Sequence, residues 1–344
     1  MDCEPPFLEA YKTLLQSSSL GVGVGVRKDD IRNEKFSMVV EKSCDELPII
    51  DLNLLNLGHF EREKCMKEIT EAAKEWGFFQ VVNHGVSQEL LLNLKFEQMK
   101  VFQRPFATKS QEDFMNLPPN TYRWGNPSAT NLSQIIWSET FFILLQDVAR
   151  MDQQESIRST MEAFASEVIA LAESLVQILA EKLSINFSYF QENCSANTCF
   201  LRLNRYPPCP FPSNMFGLIP HSDSSFLTIV HQDHVGGLQL MKDGNWVDVK
   251  PIPRALIVNI GDLLQALSNG FYKSVQHRVV ATENERYSVA YFYNPCPDAE
   301  IESHGTPPLY RKFTFGEYNE QKEKDVKKTG DKVGLSRFLL KKHE

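Results

Sequence analysis

The chain has 344 residues, and its contents of 42% hydrophobic and 23% charged residues are ordinary for a soluble globular protein. The formal net charge of −8 argues against a nucleic-acid-binding or basic membrane-surface protein, because either would need a positive field to attract phosphates. Anionic ligands must therefore be bound by individual Arg or Lys side chains.

The seven cysteines are an odd number and are scattered along the chain, which indicates reduced thiols rather than a disulfide framework. The first residues lack the basic start and apolar stretch of a signal peptide. A continuous apolar run of about 18 residues, the length of a membrane-spanning helix, is not evident either. We therefore expect a cytoplasmic protein that binds neither a membrane nor nucleic acid.

Residues 1–45 are weakly patterned and are expected to form an irregular N-terminal arm. Glycine and valine alternate within it over residues 21–26. The dinucleotide-binding fingerprint needs a preceding strand, a following helix and a different glycine spacing, so this segment does not indicate a phosphate-binding loop.

Strands and helices alternate in the next part of the chain. Short apolar runs predict strands over residues 47–52 and 78–83. Apolar residues at helical spacing predict helices over residues 61–76 and about 88–102. Gly77 follows the first of these helices at the position of a C-terminal cap.

The strongest helical pattern covers residues 155–183 or so, which corresponds to a rod of roughly 40 Å. Its apolar stripe consists of Ile157, Met161, Phe164, Val168, Leu171, Leu175, Ile178 and Leu183. Because such a stripe is typical of a packing surface, we expect this helix to lie along a sheet and support it.

After Cys199 the pattern changes to short apolar runs separated by turn residues. Strands are predicted over residues 199–206, 226–231, 237–241, 245–249, 255–260, 274–281 and 286–293. Short strands at this spacing are typical of a sandwich or jelly roll. We therefore divide the chain after the arm into residues 46–150, a core over residues 151–315, and a charged segment over residues 316–344 that is expected to form a solvated helix.

A candidate metal site lies in the strand-rich part. His221 and Asp223 are two residues apart, so in an extended strand both side chains project to the same side, and His277 on another strand can complete the set. Two imidazoles and one carboxylate are the ligands of non-haem Fe(II) oxygenases and leave positions open for a co-substrate and oxygen. Zinc accepts the same ligands, so the residues alone do not decide the metal.

Arg286 and Ser288 follow His277 after a short segment that is predicted to be a hairpin turn, so their strand is expected to pair with the strand that carries His277. The two residues share one face of their strand. A guanidinium and a hydroxyl beside a metal are suited to bind a carboxylate. The carboxylate implied is the distal end of a dicarboxylic acid whose 2-oxo acid end chelates the iron. Asn204 and Tyr206, also two apart, can contact the same co-substrate.

These residues stand in motifs that resemble the plant 2-oxoglutarate-dependent dioxygenases. The motifs are residues 204–210, 221–228, 259–262, 274–279 and 286–290, with residues 76–79 and 83–85 earlier in the chain. The resemblance implies a mixed α/β fold with a mainly β core, a double-stranded β-helix (jelly roll) flanked by helices, and substrate-side loops within residues 46–150. It implies that His221, Asp223 and His277 hold Fe(II). It further implies that 2-oxoglutarate is bound by Arg286 and Ser288 with help from Tyr206 and Asn204, with O2 as second co-substrate and ascorbate as activator.

A narrower resemblance, over residues 122–130, 137–141 and 291–298, is to gibberellin 2-oxidases of the group that acts on twenty-carbon gibberellins. It implies hydroxylation at carbon 2 of a small, apolar acid, which inactivates the hormone line. An apolar pocket with a few polar anchors is then required. The candidate pocket residues are Tyr122, Arg123, Trp124, Trp137, Phe226, Phe292 and Asn294. Ser222 and Ser225 depart from the residues usual in the family, which affects pocket shape rather than the ligand set.

Three other hypotheses remain open at this point. The same chemistry can act on a flavonoid, an alkaloid or another hormone. A catalytically silent hormone-binding scaffold can share the fold, although it has no need of an open iron site. A zinc hydrolase would need a separate general base or oxyanion arrangement, which the sequence does not indicate. The oligomeric state is not predicted.

Overall fold

The computed structural model describes residues 3–20, 46–152, 155–211, 215–329 and 332–340. The strands are β1 (Ile49–Asp51), β2 (Phe78–Val82), β3 (Tyr122–Trp124), β4 (Glu139–Leu144), β5 (Phe200–Tyr206), β6 (Phe216–His221), β7 (Leu227–Gln232), β8 (Leu238–Lys242), β9 (Asn245–Asp248), β10 (Leu256–Ile260), β11 (His277–Val280), β12 (Arg286–Tyr293), β13 (Glu300–Ile301) and β14 (Phe313–Thr314). The helices are α1 (Phe7–Ala10), α2 (Lys12–Leu20), α3 (His59–Glu75), α4 (Gln88–Phe102), α5 (Phe106–Lys109), α6 (Leu145–Val148), α7 (Ser156–Lys182), α8 (Ser188–Asn193), α9 (Asp262–Leu267) and α10 (Phe315–Thr329). Short 3-10 helices cover Leu52–Asn56, Phe114–Asn116, Leu132–Gln134 and Gly334–Phe338.

Two facing sheets form the centre of the protein. The major sheet has the strand order β1-β2-β10-β7-β12-β5-β4-β3, and the minor sheet has the order β6-β11-β8-β9. Side chains from both sheets pack in one apolar cluster, with Phe78 and Ile257 from the major sheet against Leu240 and Val279 from the minor sheet. This is the double-stranded β-helix that the sequence predicted.

Helix α7 supports the major sheet, as its apolar stripe predicted. Its buried residues include Phe164, Val168 and Leu175, and the helix contacts β7, β12, α3 and α4. By length and composition alone α7 could cross a membrane, but 56% of its most apolar 18-residue stretch is buried inside the protein. Packing against the sheet and the neighbouring helices therefore accounts for its apolar character.

The predicted strands and helices after residue 46 are present with small shifts in their ends. The expected pairing of the Arg286 strand with the His277 strand is wrong, because β11 pairs with β6 and β8 in the minor sheet whereas β12 crosses to the major sheet and pairs with β5 and β7. The sequence also missed β3, β4, β6, β13 and β14 and the short helices α5, α6, α8 and α9. Strand β6 contains Gly217 and Pro220, and both residue types are depleted in strands. The omission matters because β6 carries His221 at its end.

The expectation of an irregular arm is wrong for its described part. Residues 7–20 form α1 and α2, and Phe7 and Tyr11 are buried against Trp137 and Ile135. The Tyr11 hydroxyl donates a hydrogen bond to the Ile136 carbonyl at 3.1 Å. The glycine and valine repeat over residues 21–26 lies outside the described residues.

The charged C-terminal segment forms the predicted helix α10, but one face of the helix is not solvated. Phe315 and Tyr318 are buried, and Tyr318 stacks with Phe338 from the following 3-10 helix. The Tyr318 hydroxyl donates a hydrogen bond to Asp262 Oδ2, a buried carboxylate at the start of α9. The segment is therefore docked on the core close to the loop that follows β6.

The β10–α9 junction supports that loop through the backbone. The amide of Asp262 donates to the Asp223 carbonyl at 2.8 Å, and the amide of Gly261 donates to the Phe226 carbonyl at 3.0 Å. A Cβ at Gly261 would lie 2.0 Å from the Ser225 carbonyl oxygen. Only glycine allows the two backbone segments to approach this closely.

We predict that Gly261→Ala lowers the free energy of unfolding by roughly 1–3 kcal/mol, because the added methyl group must displace the backbone at Ser225. Urea denaturation measures the change. Gly58→Ala is the control, because a Cβ there meets only the end of the Glu61 side chain. Equal stability of the two variants would contradict the packing argument.

Candidate metal and co-substrate site

The two candidate histidines come together across the minor sheet. His221 at the end of β6 and His277 at the start of β11 are directly paired in the antiparallel register, and their ring centroids are 4.3 Å apart. Period-two alternation predicted that Asp223 lies on the same strand as His221. This prediction is wrong, because β6 ends at His221 and Asp223 lies in the loop just after it. The loop turns back beneath the β10–α9 junction, and this turn brings the carboxylate to the histidines.

The three side chains can hold one metal ion. The Nε2 atoms of His221 and His277 lie 3.6 Å and 3.7 Å from Asp223 Oδ1. All three ligand atoms lie within 4.8 Å of one another, and no other such group of His, Cys, Asp and Glu is found among the described residues. Two imidazoles and a carboxylate are the donor set of non-haem Fe(II) sites.

Hydrogen bonds orient each of these side chains. His221 Nδ1 is 2.9 Å from the Ile219 carbonyl, and His277 Nδ1 is 3.2 Å from the Val275 carbonyl. Those carbonyls favour the tautomer in which Nδ1 carries the proton and Nε2 is free to bind a metal. Asp223 Oδ2 accepts hydrogen bonds from Thr228 Oγ1 at 2.7 Å and Asn259 Nδ2 at 2.8 Å, which leaves Oδ1 directed to the histidines.

The electrostatic environment keeps His221 and Asp223 in the protonation states that bind a metal. Burial, with a smaller contribution from His277, lowers the pKa of His221 to about 3, so its imidazole is neutral. Burial opposes ionisation of Asp223, but the two imidazoles and the hydrogen bonds from Asn259 and Thr228 hold its pKa at about 2. Because metal ligands must be deprotonated, these two side chains are ready to bind a cation at neutral pH.

Arg286 lies in the interior of the same jelly roll with unmet hydrogen-bond donors. Its side chain is 2% exposed, and its Nη2 donates to Gln232 Oε1 at 3.0 Å. Its Nε and Nη1 are buried without a partner among the described residues, as is Nε2 of Gln232. A buried guanidinium without its hydrogen bonds is costly, and a carboxylate would satisfy these donors.

The other predicted co-substrate residues surround Arg286. Its guanidinium carbon lies 4.7 Å from the centroid of the Tyr206 ring, and Asn204 Nδ2 donates to Ser288 Oγ at 3.3 Å. One cavity is lined by all four of these residues together with His221, Asp223 and His277. A ligand with a carboxylate at one end can thus reach the candidate metal ligands with the other.

A second cavity of about 480 Å³ opens beside the metal ligands and includes His221 and Asp223 in its wall. Of the candidate pocket residues, Arg123, Phe292 and Asn294 line it. The volume is within the usual range of roughly 300–1,000 Å³ for small-molecule sites.

The remaining pocket candidates lie elsewhere. Tyr122 donates a hydrogen bond to Glu139, which is part of a buried ion pair with Lys109 at 2.6 Å. Trp124 and Trp137 pack against Phe7, and Phe226 is fully buried against Phe190 in the core. None of these four lines either cavity beside the metal ligands, so they hold structure together around the site.

Sequence reasoning missed several residues that line the second cavity, among them Phe142, Phe200, Arg202, Lys322 and Lys332. Arg202 could have been found, because it is two residues before Asn204 and therefore shares its face of β5. Gln232, the partner of Arg286, was missed as well, because its role depends on the pairing of β7 with β12.

Comparison with known proteins agrees with this fold and site. A family model of the 2OG-Fe(II) oxygenase superfamily matches residues 197–295. A second model, of the N-terminal region of the non-haem dioxygenases in morphine synthesis, matches residues 47–162. The chain belongs to the 2OG-Fe(II) oxygenase superfamily, which confirms the predicted family and its cofactors, Fe(II) and 2-oxoglutarate.

Individual proteins that are similar to this chain include two plant gibberellin dioxygenases and one solved oxygenase structure. Gibberellin 2-beta-dioxygenase 8 of Arabidopsis thaliana is 50% identical over 98% of this chain and 98% of its own. Gibberellin 2-beta-dioxygenase 7 of the same plant is 44% identical over 99% of this chain and 100% of its own. Among solved structures, JOX2 in complex with 2OG, Fe and JA is 33% identical, with a TM-score of 0.72 over 92% of this chain and 98% of that one.

We predict that Asn259→Ala weakens Fe(II) binding roughly 10–100-fold, because it removes one of the hydrogen bonds that orient the Asp223 carboxylate. Anaerobic equilibrium dialysis with Fe(II) measures the dissociation constant. Asn245→Ala, at an exposed position on β9, is the control and is expected to leave it unchanged. Identical affinities in both variants would show that Asn259 does not orient the ligand.

Proposed function

We propose that this protein is an Fe(II)- and 2-oxoglutarate-dependent hydroxylase that adds a hydroxyl at the 2β position of gibberellins, with twenty-carbon gibberellins as its substrates. The observation that carries the oxygenase chemistry is the buried Arg286, whose unmet donors share one cavity with the His221, Asp223 and His277 triad. The near full-length similarity to gibberellin 2-beta-dioxygenases supports the choice of substrate.

In this proposal His221, Asp223 and His277 ligate the iron, while Arg286 and Ser288 bind the distal carboxylate of 2-oxoglutarate. Asn204 holds Ser288, and the Tyr206 ring supports the guanidinium. Iron bound by these residues would supply the activation of O2, so that one oxygen atom enters the substrate and the other enters 2-oxoglutarate as it loses carbon dioxide. The overall reaction converts substrate, 2-oxoglutarate and O2 into hydroxylated substrate, succinate and CO2.

The second cavity is suited to a rigid apolar acid. Phe200 stacks on Phe292 with ring centroids 4.4 Å apart, and Phe142 lies 4.1 Å from Phe200, so the three rings form a continuous aromatic wall. This wall can bury the hydrocarbon rings of a substrate and exclude water from the reacting carbon. Asp223 and His221 border the same cavity. A substrate bound there would therefore have its reacting carbon next to the metal ligands.

We predict that His277→Ala abolishes hydroxylation, because two ligands do not hold Fe(II) as three do. Metal content after anaerobic loading and product formation are measured together. His234→Ala, an exposed histidine, serves as the control. Full turnover by His277→Ala would overturn the ligand assignment.

We predict that Arg286→Ala raises the KM for 2-oxoglutarate roughly 100-fold and changes the affinity for Fe(II) little, because the lost charge binds the co-substrate and not the metal. Initial rates at varied 2-oxoglutarate give the KM. Arg150→Ala is the control, since its side chain is 64% exposed. An unchanged KM would show that the carboxylate is bound elsewhere.

The substrate assignment is tested by incubating the protein with Fe(II), ascorbate, 2-oxoglutarate and separate twenty-carbon and nineteen-carbon gibberellins. Mass spectrometry follows succinate and the oxygenated products. A product with one added hydroxyl at the 2β position supports the proposal and identifies the substrate. Substrate-independent succinate alone would leave the oxygenase chemistry and remove gibberellins, whereas iron-loaded protein that forms no succinate would be a silent scaffold.

A further inference from the structure

The cavity beside the metal ligands has a charge opposite to that of the whole chain. Arg123, Arg202, Lys322 and Lys332 all line it, whereas Asp223 is the one carboxylate among the described residues of its wall. The protein as a whole has a formal net charge of −8. A concentration of cations in a cavity with aromatic walls indicates a ligand that carries negative charge on an apolar body.

Two of the cations lie on the major sheet, Arg123 on its edge strand β3 and Arg202 on β5, two strands further in. Arg123 on β3 is directly paired with Thr140 on β4, and Thr140 Oγ1 accepts a hydrogen bond from Arg202 Nε at 3.2 Å. Within the part of the chain that the structure describes, no carboxylate forms an ion pair with Arg123 or Arg202. Burial lowers the pKa of Arg202, although Tyr206 and the Asp223 carboxylate oppose the shift, and an anion bound here would offset the cost of burial further.

The other two cations belong to the C-terminal segment. Lys332 Nζ lies 2.9 Å from Asp262 Oδ2 and donates to the Ser222 carbonyl at 2.6 Å, so its charge is already partly balanced. Lys322 on α10 donates to Asn319 Oδ1 at 2.8 Å and has no carboxylate in an ion pair among the described residues. Burial and the nearby Lys332 both lower the pKa of Lys322. Lys322 is therefore the cation of this pair that is available to a ligand.

The aromatic wall and the two arginines belong to the same sheet, whereas the two lysines do not. Phe200 and Arg202 share the interior face of β5, and Phe142 on β4 is directly paired with Arg202. The lysines reach the same cavity from α10 and the segment after it, which is a separate element of the fold. Anions can thus be bound at two distinct places around one apolar body.

We infer that the cavity selects an apolar acid with two carboxylates, one bound by Arg123 and Arg202 and the other by Lys322 beside Lys332. The inference rests on the proposed function, for which it names the feature that is recognised. Among gibberellins, this criterion favours acids whose second carboxylate is free over those in which it is closed into a lactone. A lactone oxygen accepts hydrogen bonds but carries no charge, so it interacts less strongly with a lysine.

The test compares variants on a dicarboxylic twenty-carbon gibberellin and on each of its two monomethyl esters. Lys322→Met and Arg202→Met are each expected to raise the KM for the diacid tenfold or more, while the KM for 2-oxoglutarate stays the same. Each variant should lose little further on the ester that lacks the matching carboxylate, because the interaction is already absent there. Arg202→Lys is expected to recover part of the loss. Lys324→Met is the control, since Lys324 is exposed on α10 and paired with Glu320 at 3.7 Å.

Three results would overturn the inference. Equal losses on the diacid and on both esters would mean that the two cations support the fold and not the ligand. A higher KM for 2-oxoglutarate in Arg202→Met would assign that arginine to the co-substrate. A wild-type protein that prefers a lactone monoacid to the diacid would contradict two-carboxylate selection directly.

The failure of the proposed function is distinguishable from these results. If no gibberellin is hydroxylated, the proposed function fails, and anaerobic calorimetry of the iron-loaded protein with the diacid still tests the cavity. Binding of the diacid that is at least tenfold weaker in Lys322→Met, and unchanged in Lys324→Met, would support the two-carboxylate site. Absence of binding to the wild-type protein would overturn it.

Discussion

The antiparallel register between β5 and β12 is the constraint on which the site depends. Tyr206 is paired with Arg286, Asn204 with Ser288, Arg202 with Ala290, and Phe200 with Phe292. Because successive side chains alternate between faces, these eight residues all point into the jelly roll, and their order along the two strands separates a polar end from an aromatic end. A shift of one residue would turn the whole set outward and replace it with the core residues Leu201, Leu203 and Val289.

The minor sheet contributes the two histidine ligands of the metal site. His221 and His277 are brought together by strand pairing, whereas Asp223 depends on a loop that is held by the β10–α9 junction. The site therefore combines a rigid part, fixed by two sheets, with a part whose position depends on a close backbone contact at Gly261. Rigid sheets position a catalytic group more reliably than loops do, so the supporting contacts of the Asp223 loop are an essential part of the site.

Sequence patterns predicted the parts of the fold that repeat with a regular period. The stripe of α7, the core strands and the pairs Asn204 with Tyr206 and Arg286 with Ser288 all follow from alternation or helical spacing. Sequence patterns predicted less well which aromatic residues line the substrate pocket. Phe226 in the core and Phe292 in the cavity have the same side chain and differ only in the residues that pack on them. Lys322 and Lys332 carried no signal at all, since a lysine-rich helix is usually solvated and only the docking of Tyr318 brings α10 to the cavity.

The contact between Lys332 and the Asp223 loop also has a consequence for biosynthesis. The loop is synthesised before Tyr318 and Lys332, the two residues of the C-terminal segment that bind Asp262 in the adjacent β10–α9 junction. A nascent chain that already contains His221 and His277 therefore has the Asp223 loop without the contacts that the C-terminal segment makes to Asp262. The support of the Asp223 loop is therefore complete only after the C-terminal segment has been synthesised and has docked.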